Sequence, residues 1–205
     1  RWDMPRAFNI GEACCRRWAD DRSRFALYWE DESGARSAHT FFDLQCDANR
    51  LSNVLAAQGV RRGDKVAILL PQRPETAIAH IAVYQMGAIA VPLSFLFGAE
   101  ALEYRLAFSE ASVALVDPQS WPNLAPIRAR LPGLRHVIGV AGVEGDGVED
   151  FATFVASSSR HFDAVATAPR DPALIVFTSG TTGPPKAALM PHSCLLGNLP
   201  GFVHS

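Results

Sequence analysis

The 205-residue sequence has few cysteines, and their spacing suits neither a metal site nor a set of disulfides. Four occur, at Cys14, Cys15, Cys46 and Cys194, and no two of them form a Cys-x-x-Cys pair. A zinc site or a disulfide framework needs a different spacing. Adjacent Cys14 and Cys15 also cannot both point inward from one helix face. We therefore expect reduced thiols, as in a cytosolic protein, and no bound metal on the protein's own side chains.

The sequence also lacks a concentration of charge of either sign. Its 19 basic and 21 acidic residues give a formal net charge of −2, and the basic residues are scattered along the chain. A nucleic-acid-binding protein normally presents a concentrated basic face. This distribution argues against a nucleic-acid partner.

No apolar run is long enough to predict a membrane span. The longest, 77–91, is interrupted by His80, Gln85 and Gly87, whereas a spanning helix needs about 20 mostly apolar residues. Residues 1–20 carry charges among scattered apolar positions and do not resemble a secretory signal. These features predict a soluble, cytoplasmic protein.

The first 60 residues predict a lead-in of helices and one hairpin. Residues 25–30 and 36–40 have the composition of two short strands. Thr40 and Asp43 have the spacing of a capping box at the start of a helix. Gly59 is the type of residue that ends such a helix.

Between residues 61 and 140, apolar runs alternate with helical stretches. Short loops between such elements imply right-handed β–α–β crossovers and a largely parallel sheet. The sequence thus predicts an α/β fold with a mostly parallel sheet and helices on both faces. The predicted strands are 65–70, 88–93, 112–117 and 136–140, and the predicted helices are 74–87, 99–109 and 123–130.

Residues 141–172 are predicted to form a surface excursion. The stretch 139–150 is rich in glycine and acidic residues, and 157–172 is rich in Ser, Ala and Pro around one short helix. The segment 173–191 then predicts a buried strand over 173–177, a loop and a further strand.

The loop after residue 177 has the most specific chemistry in the sequence. It reads Thr178-Ser179-Gly180-Thr181-Thr182-Gly183-Pro184-Pro185-Lys186. Its glycines permit tight turns that bring backbone N–H groups close to an anion, and its hydroxyls add neutral donors. Lys186 adds a positive charge suited to a polyphosphate. Since open α/β sheets bind ligands at the carboxyl ends of their strands, the motif predicts a phosphate-binding loop.

The motif differs from the P-loop signature Gly-x-x-x-x-Gly-Lys-Ser/Thr. Lys186 follows two prolines and precedes Ala187, which argues against a P-loop kinase or GTPase.

The segment TSGTTGPPKAAL resembles the signature phosphate loop of the adenylate-forming superfamily, which includes acyl-CoA synthetases, luciferases and peptide-synthetase adenylation domains. Upstream, MPRAFNIGEACCRRWADD, GVRRGDKVAILLPQRPETAIAHIAVYQMGAIAVPLSFLF and ALEYRLAFSEASVALVD resemble successive parts of short- and medium-chain acyl-CoA synthetases. By this resemblance, residues 1–205 are identified as part of the large N-terminal AMP-binding domain of such an enzyme, with the C-terminal domain absent.

The resemblance implies a two-step ligase. A carboxylate attacks the α-phosphate of Mg·ATP, giving an acyl-adenylate and pyrophosphate, and the CoA thiol then displaces AMP. ATP, Mg²⁺ and CoA are thus the implied cofactors and co-substrates, in fatty acid or acetate metabolism. Lys186 would be the catalytic cation that neutralises charge on the departing pyrophosphate. The residues implied to cradle the β- and γ-phosphates are Thr178, Ser179, Gly180, Thr181, Thr182 and Gly183.

Two features of the resemblance bear on activity. The family's segments that bind adenine and ribose, its hinge and its C-terminal lysine have no counterpart in residues 1–205. We therefore expect this chain alone to be inactive. The apolar run after Pro191 also has no visible partner in the sequence. The family usually has glycine where this sequence has Ala187. We expect the methyl group to be harmless if φ is negative there.

Two other functions stay open at this point. One is an adenylation domain that loads a carrier protein, although such domains often have serine at the position of Thr181. The other is a non-catalytic nucleotide-binding module. With any of these functions the predicted partners are small molecules, and a homo-oligomer is allowed. The residues that select the acid are expected mostly beyond the phosphate loop. His192, just past the second strand, is expected to be structural.

Overall fold

The computed structural model describes residues 4–178 and 185–203, with only the backbone described for 199–203. The strands are β1 Phe25–Glu30, β2 Arg36–Thr40, β3 Lys65–Leu69, β4 Ile89–Pro92, β5 Val113–Val116, β6 His136–Gly139, β7 Val148–Asp150, β8 Pro172–Thr178 and β9 Lys186–Pro191. The helices are α1 Ile10–Cys14, α2 Phe41–Ala57, α3 Pro74–Gln85, α4 Ala99–Ser109, α5 Trp121–Leu124, α6 Phe151–Ser157 and α7 Cys194–Val203, with 3₁₀ turns at Arg16–Trp18 and Ala125–Arg130.

Strands β1 and β2 form a separate antiparallel hairpin, and the other seven strands form one sheet. Its order is β7-β6-β5-β3-β4-β8-β9. Strands β3 to β8 run parallel to their neighbours, and β9 runs antiparallel to β8. The predicted mostly parallel sheet is confirmed.

Helices cover both faces of this sheet, as predicted, because its central strands are apolar on both sides. Val66 and Ile68 of β3 pack in a cluster with α2 and α3, whereas Ala67 and Leu69 pack in a second cluster with α4 and the 3₁₀ turn after α5. Successive side chains of a strand point to opposite faces. The near-continuous apolar runs therefore supply both cores at once.

The start of α2 has the capping box that the sequence predicts. The Thr40 hydroxyl accepts a hydrogen bond from the Asp43 N–H at 3.1 Å, and the Asp43 carboxylate accepts one from the Thr40 N–H at 3.0 Å. Two of the N–H groups that a helix start leaves without a partner are thereby satisfied. Gly59 follows the helix with φ of +88°, a conformation that glycine adopts without strain.

The region 141–172 differs from the expected surface excursion. Strand β7 joins the sheet beside β6, and Phe151 and Val155 of α6 are buried in the core that contains α2. The short helix lies before residue 158 rather than within 158–172. Periodicity could not reveal β7 because it has only three residues, too few to show an alternating pattern.

The helix predicted over 123–130 is a single α turn followed by 3₁₀ structure. Pro126 lies in this stretch and has no N–H to donate to the preceding turn, so it prevents a continuous α-helix.

The two residues between Pro191 and the apolar run of α7 are hydrogen-bonded to the segment before β8, whereas the expectation that the run itself lacks a partner stays a prediction. The His192 N–H donates to the Asp171 carbonyl at 2.9 Å and the Ser193 N–H donates to the Pro169 carbonyl at 2.8 Å. These bonds attach the start of α7 to the segment that leads into β8. None of the helices in 4–178 and 185–203 combines the length and apolar character that a bilayer crossing requires.

All four cysteines are free thiols. Cys14 is exposed and Cys15 is buried, so the two side chains point in different directions, as expected for neighbours on one short helix. Burial raises the pKa of the Cys15 thiol to about 12, which keeps it protonated and unreactive at neutral pH.

Candidate functional site

The predicted phosphate loop connects β8 and β9 at the carboxyl edge of the sheet. Thr178, the last residue of β8, lies opposite Lys186, the first residue of β9. Seven residues, 179–185, join the two strands. Five predicted phosphate-binding residues lie outside the described part of the chain: Ser179, Gly180, Thr181, Thr182 and Gly183.

The structure brings Thr178 and Lys186 together as a cross-strand pair. Their neighbours Phe177 and Ala187 also lie opposite each other, and both pack on the α4 side of the sheet. Because side chains alternate along a strand, Thr178 and Lys186 project together from the other side. Both are exposed, and the Thr178 hydroxyl donates to the Lys186 carbonyl at 3.4 Å. A hydroxyl and an ammonium group are thus available side by side at the end of the loop.

Ala187 fits its position without strain. Among the described non-glycine residues, Glu110 and Ala141 alone have positive φ, so Ala187 does not require the glycine that the family usually has there. Its methyl group packs against the apolar cluster on the α4 side. The methyl group therefore causes no backbone strain next to Lys186.

A groove of about 670 Å³ opens at the same edge of the sheet, among the loops that follow β3, β4, β5 and β6. Its only basic lining residue in the described chain, Arg73, is bonded to Glu75 at 2.7 Å and 3.2 Å. A donated hydrogen bond from the Ser33 hydroxyl lowers the pKa of Asp31. Four of the lining residues have carboxylates, and their negative charge repels a polyphosphate, whereas the positive charge of Lys186 attracts one. The charged lining residues are Glu30, Asp31, Glu32, Arg73 and Asp117.

This groove was not predicted from the sequence. Its lining residues lie in the loops after the central strands, at the end of β1 and in the β1–β2 turn. The part of the groove formed by the loops after the parallel strands could have been predicted, since ligand sites gather at the carboxyl ends of such strands. The position of the β1–β2 turn at this groove could not be predicted from the sequence, because it depends on tertiary packing.

His192 has a structural role, as expected. It is fully buried, and its Nδ1 accepts a hydrogen bond from the Ile10 N–H at 3.2 Å. Burial lowers its pKa and so favours the neutral ring that can accept this bond. Pro191 pairs with Pro172 at the beginning of β8, so His192 lies at the opposite edge of the sheet from the loop. At about 3.3 Å per strand residue, that is roughly 20 Å from Lys186.

No group of three or more His, Cys, Asp or Glu side chains in residues 4–178 and 185–203 is arranged to hold a metal ion.

A family model described as "AMP-binding enzyme" matches residues 14–203. The chain belongs to the AMP-binding enzyme family. The resemblance carried by the loop motif is thereby confirmed, and it extends to nearly every element of the fold.

Curated relatives of this AMP-binding chain are acyl-CoA synthetases. It is 29% identical over 199 residues to the mitochondrial acyl-coenzyme A synthetase ACSM4 of Rattus norvegicus, covering 94% of this chain and 34% of that protein. It is 31% identical over 207 residues to an acetyl-coenzyme A synthetase of Novosphingobium aromaticivorans, covering 92% of this chain and 32% of that protein. The chain thus spans about a third of the length of the curated relatives it matches.

Solved structures of CoA ligases share the fold. An anthranilate CoA ligase, AuaEII, in complex with anthranoyl-AMP superimposes with a TM-score of 0.88 at 26% identity, covering 96% of this chain and 37% of that one. An acyl-CoA synthetase of Brucella canis gives a TM-score of 0.85 at 28% identity, covering 96% and 35%. The arrangement of strands and helices described above is therefore that of the N-terminal domain of adenylate-forming ligases.

Proposed function

We propose that the full-length protein activates a carboxylic acid with ATP to form an acyl-adenylate and pyrophosphate. It then transfers the acyl group to the thiol of CoA and releases AMP. The observation that carries the proposal is the cross-strand pair of Thr178 and Lys186. It lies at both ends of a glycine- and threonine-rich loop, at the carboxyl edge of the sheet, in a chain of the AMP-binding family.

The chemistry proposed for this pair is electrostatic. When the α-phosphate is attacked, negative charge builds up on the departing pyrophosphate. A fixed ammonium group stabilises that charge more in the transition state than in the ground state, which is what accelerates a reaction. Lys186 would supply the ammonium group. Thr178 and the hydroxyls and N–H groups of the loop would supply neutral donors that hold the β- and γ-phosphates.

The second step is proposed from the family rather than from particular residues. The acidic groove at the same edge of the sheet offers little attraction to the phosphates of CoA. The residues that bind CoA, like those that bind the acid, are therefore expected mainly outside residues 1–205. Location in the cytoplasm stays a prediction, since the name of one relative places that protein in mitochondria.

The test is ATP–pyrophosphate exchange by the full-length protein with a panel of carboxylic acids, followed by detection of the CoA thioester. We expect acid-dependent exchange, and a thioester only when CoA is added. Exchange without thioester formation, but with acylation of a carrier protein, would indicate the adenylation-domain alternative. Absence of exchange with every acid, in a protein that binds ATP, would indicate a non-catalytic nucleotide-binding module.

We further propose that residues 1–205 alone do not catalyse the exchange, because they span only about a third of the relatives' length. Exchange by the isolated chain at a rate near that of the full-length protein would contradict this.

A further inference from the structure

Helix α4 contacts the chain on both sides of the phosphate loop. The Tyr104 hydroxyl donates a hydrogen bond to the carbonyl oxygen of Pro185, 3.3 Å away, and Pro185 directly precedes Lys186. One helical turn further on, the ring of Phe108 meets the ring of Phe177, which directly precedes Thr178. Their centroids are 6.0 Å apart and their planes lie at 74°. Helix α4 thus contacts the residue before Thr178 and the residue before Lys186.

The contact on the Phe177 side is reinforced by Arg105. Its guanidinium carbon lies 4.1 Å from the ring centroid of Phe97 and 5.7 Å from that of Phe177. One guanidinium nitrogen donates to the Ala101 carbonyl at 2.8 Å. These contacts hold Arg105 along its own helix and over both rings, an arrangement that favours a fixed position for Phe177.

The contact on the Pro185 side acts on a peptide group that helps to orient Lys186. The Pro185 carbonyl and the Lys186 nitrogen belong to one planar peptide unit. A bond that fixes the direction of this carbonyl also fixes the direction of the peptide plane at which Lys186 enters β9. Within residues 4–178 and 185–203, this is the end of the loop at which a side chain of α4 donates a hydrogen bond.

We propose that Tyr104 is a positioning residue for the phosphate loop: its hydroxyl holds the Pro185–Lys186 peptide so that the Lys186 ammonium group points at the pyrophosphate. This rests on the function proposed above. Tyr104 contacts no reacting atom, and its effect on the reaction passes through Lys186.

The test is the Tyr104→Phe variant of the full-length protein, which removes one hydroxyl and keeps the ring beside Phe108 at 5.9 Å. We expect kcat/KM for MgATP in pyrophosphate exchange to fall by about threefold to tenfold, the range of one net hydrogen bond. The KM for the carboxylic acid and the melting temperature should stay unchanged. The matched control is Tyr28→Phe, which makes the same chemical change on an exposed ring of β1 and should alter none of these values.

A double-mutant cycle separates positioning from general support. If Tyr104 acts through Lys186, Tyr104→Phe should cause no further loss of exchange activity in a Lys186→Ala background. An equal loss in both backgrounds, or no loss in the single variant, would overturn the proposal.

Hydrogen exchange provides a readout that does not depend on catalysis. The amides of Lys186 and Ala187 should exchange faster in Tyr104→Phe than in the wild type, while the amides of β3 and β5 should not change. If the wild-type protein shows no pyrophosphate exchange, the proposed function fails, and this measurement still decides whether Tyr104 holds the end of the loop. Unchanged exchange at both amides would show that it does not.

Discussion

The parallel strands at the centre of the sheet and the β8–β9 hairpin at its edge are built on different principles. Every residue of β5 is completely buried, and the described core around it consists mainly of aliphatic side chains. In β9, by contrast, Leu189 is 59% exposed and Lys186 is also exposed. The centre is therefore built for packing, whereas the hairpin keeps accessible surface at the residues for which ligand contacts are proposed.

The loops of the two regions differ in the same way. After β5, the buried Asp117 carboxylate accepts hydrogen bonds from the Gln119 N–H at 3.2 Å and the Ser120 N–H at 2.9 Å. That loop satisfies its own polar groups and leaves few for a ligand. The loop after β8 instead consists of glycine, hydroxyl residues and proline, and its described end is held by Tyr104 of another element. Such a loop can direct its N–H groups towards an anion.

The largest expected effect comes from opening a cavity in the central region. Leu115→Ala should lower the free energy of unfolding by about 2–5 kcal/mol, since Leu115 is fully buried and the loss includes the cavity left behind. Denaturant titration of the full-length protein measures this. Exchange activity per folded molecule should stay near the wild-type value, and a strong loss of that activity would show that the two regions are not independent.

At the hairpin we expect a large loss of activity with little loss of stability. Lys186→Ala should reduce the pyrophosphate exchange rate by about 10²-fold, equivalent to about 2.7 kcal/mol of transition-state stabilisation. The melting temperature should hardly change because Lys186 is exposed. The control is Lys65→Ala, which alters the only other lysine of the chain, one that bonds to Glu110 at 3.2 Å. An unchanged rate in Lys186→Ala would remove this residue from the mechanism.

The smallest expected effect is a change in how folding stability depends on pH, through a buried histidine of α3. Burial lowers the pKa of His80 in α3 to about 4, and its Nδ1 lies 3.1 Å from the Tyr84 hydroxyl. An unfolded histidine takes up a proton near pH 6.5, so between pH 6.5 and 4 the unfolded state binds more protons than the folded state. Stability contributed by neutral His80 is therefore complete above pH 6.5 and declines as the pH falls towards 4.

His80→Gln should flatten this decline, as measured by the melting temperature at pH 7, 6 and 5. His161→Gln is the control, because the side chain of His161 is 80% exposed and should contribute little. Identical pH profiles for His80→Gln and the wild type would contradict the burial argument.

The sequence predicted the central region more completely than the edge, for physical reasons. Strands such as β3 are apolar on both faces and stand between helices that begin with a capping box or a proline and are followed by glycine, so local pattern and global fold agree there. The three-residue β7 and the packing of Phe151 depend on distant contacts that leave no periodic signal.

The candidate site at the edge was predictable only in part. The loop motif identified Thr178 and Lys186 as candidates, and the register of β8 and β9 places them opposite each other. Tyr104 could not be found in this way, because it is 81 residues from Pro185 in the chain and its hydroxyl has no local motif. Phosphate contacts of residues 179–183 stay a prediction.

The pairing of Thr178 with Lys186 also sets a limit on reach. Both ends of the 179–185 segment are fixed at one place on the sheet, so the segment is a closed tether of eight peptide steps. At no more than about 3.6 Å per step, its midpoint can lie no farther than about 14 Å from that place. The backbone of this segment must therefore meet a polyphosphate within that radius of the carboxyl end of β8, wherever the rest of the nucleotide extends.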